Sequence, residues 1–129
     1  MLASLIAVII GGGIGSAMRW GMSQRFNTLF PLLPPGTLIS NILAGLIIGF
    51  ATAFFNRHSS FSPAVKLMVT TGLCGGLSTF STFSEEVFSH LQNEDYLWAS
   101  TEITVHVIFS ILAVYVGFLI ASIVTNWCK

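Results

Sequence analysis

The chain reads as an all-α integral membrane protein, a single transmembrane domain over 1–129 with four membrane-spanning helices. Two observations predict this. Apolar residues make up 53% of the sequence and charged residues only 8%, against about a quarter charged in a typical soluble domain. The apolar residues fall in four runs, each close to the ~20 residues that a helix needs to cross ~30 Å of hydrocarbon. With short loops these use nearly all 129 residues, leaving no room for a soluble domain.

The first span covers roughly 2–22. It carries the small-residue patch Gly11, Gly12, Gly13, Gly15 and Ser16, and ends near Arg19, whose long side chain is expected to snorkel outward. Lacking a basic leader and a small-residue cleavage site, it reads as a span rather than a removed signal. The second covers roughly 36–55, with Thr37, Asn41, Gly45, Gly49 and Ala53 recurring every four residues. The third covers roughly 63–84 and opens on Ser62-Pro63, a capping hydroxyl followed by proline at the first helical position. A polar stretch, Glu85 to Asp95, precedes the fourth span, roughly 100–127, where Ala113, Gly117 and Ala121 repeat the four-residue spacing. Such stripes let backbones approach closely, because lipid supplies no hydrophobic drive for helix pairing. Cys74 and Cys128 sit at different depths and read as small apolar residues.

The third span is the functional signal. Gly75-Gly76 weakens helix by about 1 kcal/mol per glycine relative to alanine, and Ser78, Thr79, Ser81, Thr82 and Ser84 follow. Non-helical backbone at membrane depth survives only when buried in protein or lining a wet cavity, so a helix broken near Gly75 belongs at the centre of an assembly; a simple kink is the alternative. At about 1.5 Å per residue from Pro63, Gly75 falls near the bilayer midplane. By the same rise, Phe80 and Phe83 lie roughly 8 Å inside the Glu85 boundary, and Asn41 is about as deep from the same side. Amide N–H groups, hydroxyls and the positive edges of aromatic rings together form a track that can face an anion. A buried hydrogen bond is the plainer role for Asn41.

Topology adds a second signal. Arg57, Lys66 and Lys129 lie on one side and Arg19 and Arg25 on the other, almost no bias of the kind that fixes orientation. Insertion both ways up follows, and with it an antiparallel pair about an in-plane two-fold axis. Two copies of the midplane break would face each other there, and their freed carbonyls could cage a cation. A single orientation set by other features is the alternative.

Other classes are disfavoured. No nucleophile–base pair, zinc-ligand spacing or phosphate loop points to an enzyme. A net charge of zero offers nucleic acid no basic surface. No carboxylate or base lies deep in a span to relay protons; Glu85 and Glu86 fall at the boundary, and His106, near the interface, reads as a hydrogen-bonding residue. This argues against a small four-spanning multidrug transporter, which needs a carboxylate in its first span. A non-transporting assembly subunit would account for the small-residue stripes but not for the polar ladder.

Gly72-x-x-Gly75-Gly76-x-Ser78-Thr79-Phe80-Ser81-Thr82-Phe83 resembles the signature of the Fluc (CrcB) fluoride channels, as do the glycine-rich first span with Arg19 and the stretch Gly36-Thr37-x-x-x-Asn41. The resemblance covers the whole chain. It implies a dual-topology antiparallel homodimer in the bacterial cytoplasmic (inner) membrane, with two pathways that export fluoride passively. It implies Asn41 as a pore-lining donor, Phe80 and Phe83 presenting ring edges to fluoride, and Ser81 and Thr82 extending the polar track. It also implies a central structural sodium ion held by the backbone carbonyls of Gly75 and Ser78. Threonine is frequent at the position of Ser78, a departure that a backbone ligand tolerates. Glu86 would sit near the pore mouth. Selectivity for fluoride over chloride does not follow from the residues themselves.

Overall fold

The computed structural model describes residues 1–127. Its elements are α1 (Leu2–Phe26), a short 3-10 turn (Asn27–Leu29), α2 (Pro35–Arg57), α3 (Pro63–Leu67), a π-helical stretch (Met68–Leu73), α4 (Cys74–Leu77), α5 (Phe80–Gln92) and α6 (Tyr96–Trp127). Three helical stretches, Leu2–Leu29, Pro35–Arg57 and Tyr96–Asn126, are long and apolar enough to cross a membrane, and the chain is a multi-pass membrane protein. Cys128 and Lys129 lie outside the described residues.

The long helices overrun the apolar stretches that predict them. α1 continues to Phe26, four residues past Met22, and α6 begins at Tyr96 rather than Ser100. Hydropathy marks where side chains tolerate lipid, whereas a helix persists while its backbone bonds are made. Arg19 is therefore well inside α1, and its side chain turns inward: Nε donates to the Gly76 carbonyl at 3.1 Å. This overturns the outward snorkel. A carbonyl left open by the end of α4 is a better partner than the distant interface.

Glycine sets the packing. α1 lies against the π stretch and α4 with backbone touching backbone. A Cβ at Gly11 would strike the Met68 carbonyl oxygen, one at Gly15 the Leu73 oxygen, and one at Gly76 the Gly12 oxygen. α2 and α6 pair in the same way, Gly49 over the Val114 carbonyl and Gly117 over that of Leu46. The side-chain stripes of the second and fourth spans thus face each other. Arg57 clips the far end of the pair, Nη1 donating to Thr125 Oγ1 at 2.9 Å and to Asn126 Oδ1.

The segment from Pro63 to Gln92 is helical in pieces. Ser62 caps its start, the hydroxyl accepting from Val65 N–H. Gly75 and Gly76 are themselves helical within α4, so the discontinuity is not at the glycine pair. The chain leaves helical geometry at Ser78 (φ −72°, ψ 154°) and Thr79 (φ −147°, ψ 111°). Thr79 then caps α5, its hydroxyl accepting from Thr82 N–H at 3.2 Å. The sequence Glu85 to Asp95, expected to be a polar connection, is mostly helix; α5 runs to Gln92 and a tight turn with Glu94 at φ 59° leads into α6. α5 and α6 close around Phe83, Val87 and Ala99.

Candidate functional site

The extended residues Ser78 and Thr79 open onto a groove of about 580 Å³, walled by Asn41 of α2, Gly75 of α4, Phe80 and Phe83 of α5 and His106 of α6. Four elements thus converge on one break in the backbone.

Asn41 holds that break open. Its Oδ1 accepts from Thr79 N–H at 2.7 Å, and Nδ2 donates to the Thr79 carbonyl at 3.3 Å and to His106 Nδ1 at 3.2 Å. The amide thereby pairs with Thr79 as a neighbouring strand would, and meets the demand that buried polar groups be paired. Two carbonyls are released as a result. Thr79 N–H would close a helical turn onto Gly75 C=O, but goes to Asn41. Thr82 N–H would close onto Ser78 C=O, but goes to the Thr79 hydroxyl. Gly75 and Ser78, the expected sodium ligands, are thus the residues whose carbonyls lose their helical partners. Neutral carbonyl oxygens of this kind suit an alkali cation, so the donors fit, though one chain supplies only a partial shell.

Phe83 is buried and Phe80 is 79% exposed. Their rings lie 5.6 Å apart, and Phe83 lies 4.8 Å from the His106 ring. The two phenylalanines share a face, as their spacing predicts, yet only Phe83 is enclosed by this chain. Ser81 and Thr82 do not reach the groove wall. Both hydroxyls lie against Thr79 Oγ1, Thr82 at 2.9 Å and Ser81 at 3.5 Å.

A cluster behind the groove escapes the sequence reading. Glu102 is fully buried and His106 is 3% exposed. One polar atom from each of Glu86, Glu102 and His106 lies within 4.8 Å of the other two. Glu86 Oε1 accepts from the Thr37 hydroxyl at 2.6 Å, but Glu86 Oε2, both Glu102 oxygens and His106 Nε2 have no hydrogen-bond partner. His90 Nε2 is 3.4 Å from Glu102 Oε2, yet nearer the Leu32 carbonyl at 3.0 Å. A carbonyl only accepts, so the His90 proton is committed there. The missed signal is a repeated spacing, Glu86-x-x-x-His90 and Glu102-x-x-x-His106, which puts each pair on one helix face. Starting the last span at Ser100 places Glu102 at an interface. With α6 beginning at Tyr96, it is packed against α5, and His106 lies about 15 Å from the helix start rather than near the interface.

The chain is similar to known proteins over nearly its whole length. Residues 6–118 match the family described as CrcB-like protein, Camphor Resistance (CrcB). A protein of Escherichia coli O1:K1 / APEC named fluoride-specific ion channel FluC is 60% identical over 123 residues, covering 95% of this chain and 98% of its own length. Proteins of the same name are 50% identical in Paraburkholderia phymatum, over 98% of this chain and 100% of theirs, and 46% identical in Nitrosomonas europaea, over 100% and 98%. Full-length identity of this order, with Asn41 and the phenylalanines gathered at the break between α4 and α5, places the chain in the CrcB family of fluoride-specific ion channels.

Proposed function

We propose that the protein is a fluoride-selective channel that lets cytoplasmic fluoride leave passively across the bacterial inner membrane. It acts as an antiparallel homodimer with two pathways and a central structural sodium ion. The relatives' name supports fluoride as the ion. The observation that carries the pathway is the groove itself, where an amide and two phenylalanine rings meet beside two carbonyls that have lost their helical partners. The rings can offer positive edges beside the amide, without a fixed cation that would trap the anion. The segment Pro63–Gln92, added to the three long apolar helices, supplies the fourth crossing.

The dimer follows from what one chain leaves undone. Phe80 projects from the groove, and Gly75 and Ser78 are exposed beside it. A second copy related by an in-plane axis would bring its own Gly75 and Ser78 carbonyls to the same point and complete a cation cage. It would also enclose Phe80.

Efflux from liposomes, followed with fluoride- and chloride-selective electrodes, tests the function. Fast fluoride release with chloride retained is expected. Asn41→Asp puts a carboxylate where the amide donates, and Phe80→Ile removes a ring that its own chain does not bury. Each should lower fluoride efflux by roughly tenfold or more, about 1.4 kcal/mol per factor of ten. Phe80→Ile should still assemble, whereas a scaffold protein would lose assembly instead. Folded, sodium-replete dimers that release no fluoride would refute the reading.

A further inference from the structure

We propose that Glu86 and Glu102 form a proton-binding site that holds one proton between them at neutral pH and is linked through His106 to Asn41. The geometry leaves few other ways to satisfy the cluster. Glu102 is fully buried with both oxygens unpartnered, and Glu86 and His106 each bring a polar atom within 4.8 Å of it; Glu86 Oε2 and His106 Nε2 are likewise without partners. Two carboxylates at this separation, out of water, do not both ionise, because like charges in a low dielectric repel strongly; a shared proton gives one of them an O–H to donate.

The imidazole identifies the occupant. Asn41 Oδ1 is fixed by Thr79 N–H, so the atom facing His106 Nδ1 is the amide nitrogen, a donor. Nδ1 must therefore accept, and the ring proton is on Nε2. With its proton on Nε2 and its Nδ1 lone pair committed to Asn41, the ring has no lone pair free for a metal ion. The three residues thus suit a singly protonated acid pair rather than a cation site. Thr37 adds a donor to Glu86, and its own hydroxyl oxygen accepts from Asn27 Nδ2, which fixes its direction. The remaining titratable groups facing the pair are His90, its Nε2–H committed to Leu32, and the exposed Glu85 on α5.

The link to function runs along two hydrogen bonds. His106 clusters with the pair, and its Nδ1 holds the Asn41 amide that keeps Thr79 out of helix. Losing the shared proton puts a second negative charge behind the groove, which opposes an anion beside Asn41, so fluoride flux should fall as pH rises. The flux part of this inference rests on the channel reading, and the proton site does not.

Infrared spectroscopy of the full-length protein in lipid, with ¹³C-glutamate to assign bands, reads the proton directly. Glu85 and Glu94 are exposed, so loss of the protonated-carboxyl C=O band in a Glu102 variant assigns it to the buried pair. One isotope-sensitive band is expected in the wild type at neutral pH. It should be lost in Glu102→Gln, which leaves Glu86 ionised among its donors; Glu102→Ser is the second variant should glutamine disturb folding. In efflux assays from about pH 6 to about pH 9, above the titration of hydrogen fluoride, wild-type flux should fall roughly threefold to tenfold, the size of one screened unit charge near the path. Glu102→Gln should keep near wild-type flux at neutral pH with a flat profile. A wild type with the band but no fluoride flux supports the proton site and refutes the channel. Absence of the band at neutral pH, its persistence in both Glu102 variants, or its displacement by added zinc would overturn the proposal.

Discussion

Thr79 turns the local helix signal into a break. Its N–H is taken by Asn41 and its hydroxyl takes the N–H of Thr82, so the carbonyls of Gly75 and Ser78 are left without partners. Thr79→Val keeps the shape and removes the hydroxyl, freeing Thr82 N–H to close a turn onto the Ser78 carbonyl. If sodium is held there, the variant should need a higher sodium concentration for full fluoride efflux, by roughly tenfold for a lost ligand. Efflux measured against sodium concentration checks this, and an unchanged sodium requirement would remove Ser78 from the cage. The residue scale also shows what a linear reading misses. Asn41, Phe80 and Phe83 were legible because depth arithmetic places them together. Glu102 and Arg19 were not, since both look terminal until the helices prove longer than their apolar runs.

At the scale of elements, the small-residue stripes of α2 and α6 were legible in the sequence and account for their pairing. Lipid gives helices no hydrophobic reason to pair, and close backbone approach replaces that drive. A side chain at Gly49 or Gly117 meets a carbonyl oxygen of the facing helix, which cannot move without the whole backbone. Gly49→Leu should therefore destabilise the fold by about 1–3 kcal/mol, the usual range for overpacking. Unfolding in lipid or detergent against a denaturant series would measure it, and a neutral result would mean that α2 and α6 are further apart. The position of the break was not legible to the residue. Gly75-Gly76 looked like its site because glycine weakens helix. Yet Gly76 packs against the Gly12 carbonyl and helps to hold α4 in helix. The Thr79 hydroxyl, three positions after Gly76, and the Asn41 amide divert the backbone bonds instead. Propensity located the weak region, and tertiary hydrogen bonds chose the residue.

For the whole molecule, Gly75 is where the proposed pairing of two copies can be tested. Gly72 and Gly76 are glycine because α1 presses on them, but a Cβ at Gly75 would meet nothing within 4 Å. Nothing in its own chain requires that residue to be small. Beside it are the exposed Ser78 and Phe80, the face that the proposed second copy would cover. With Cys74 and Cys128 replaced by alanine, Gly75→Cys should form an intermolecular disulfide in lipid, since such a bond needs Cα atoms within about 7 Å. A parallel pair could also meet at this point, so orientation needs its own readout. Asn93 lies in the turn between α5 and α6. In the same cysteine-free background, Asn93→Cys should be labelled on about half of the copies by a membrane-impermeant thiol reagent applied to intact cells, as the weak Lys and Arg bias implies. Cross-linking at Gly75 with half-labelling at Asn93 is the outcome of an antiparallel pair. Full or absent labelling would assign a single orientation, and with it the two copies of the break would no longer meet across a midplane axis.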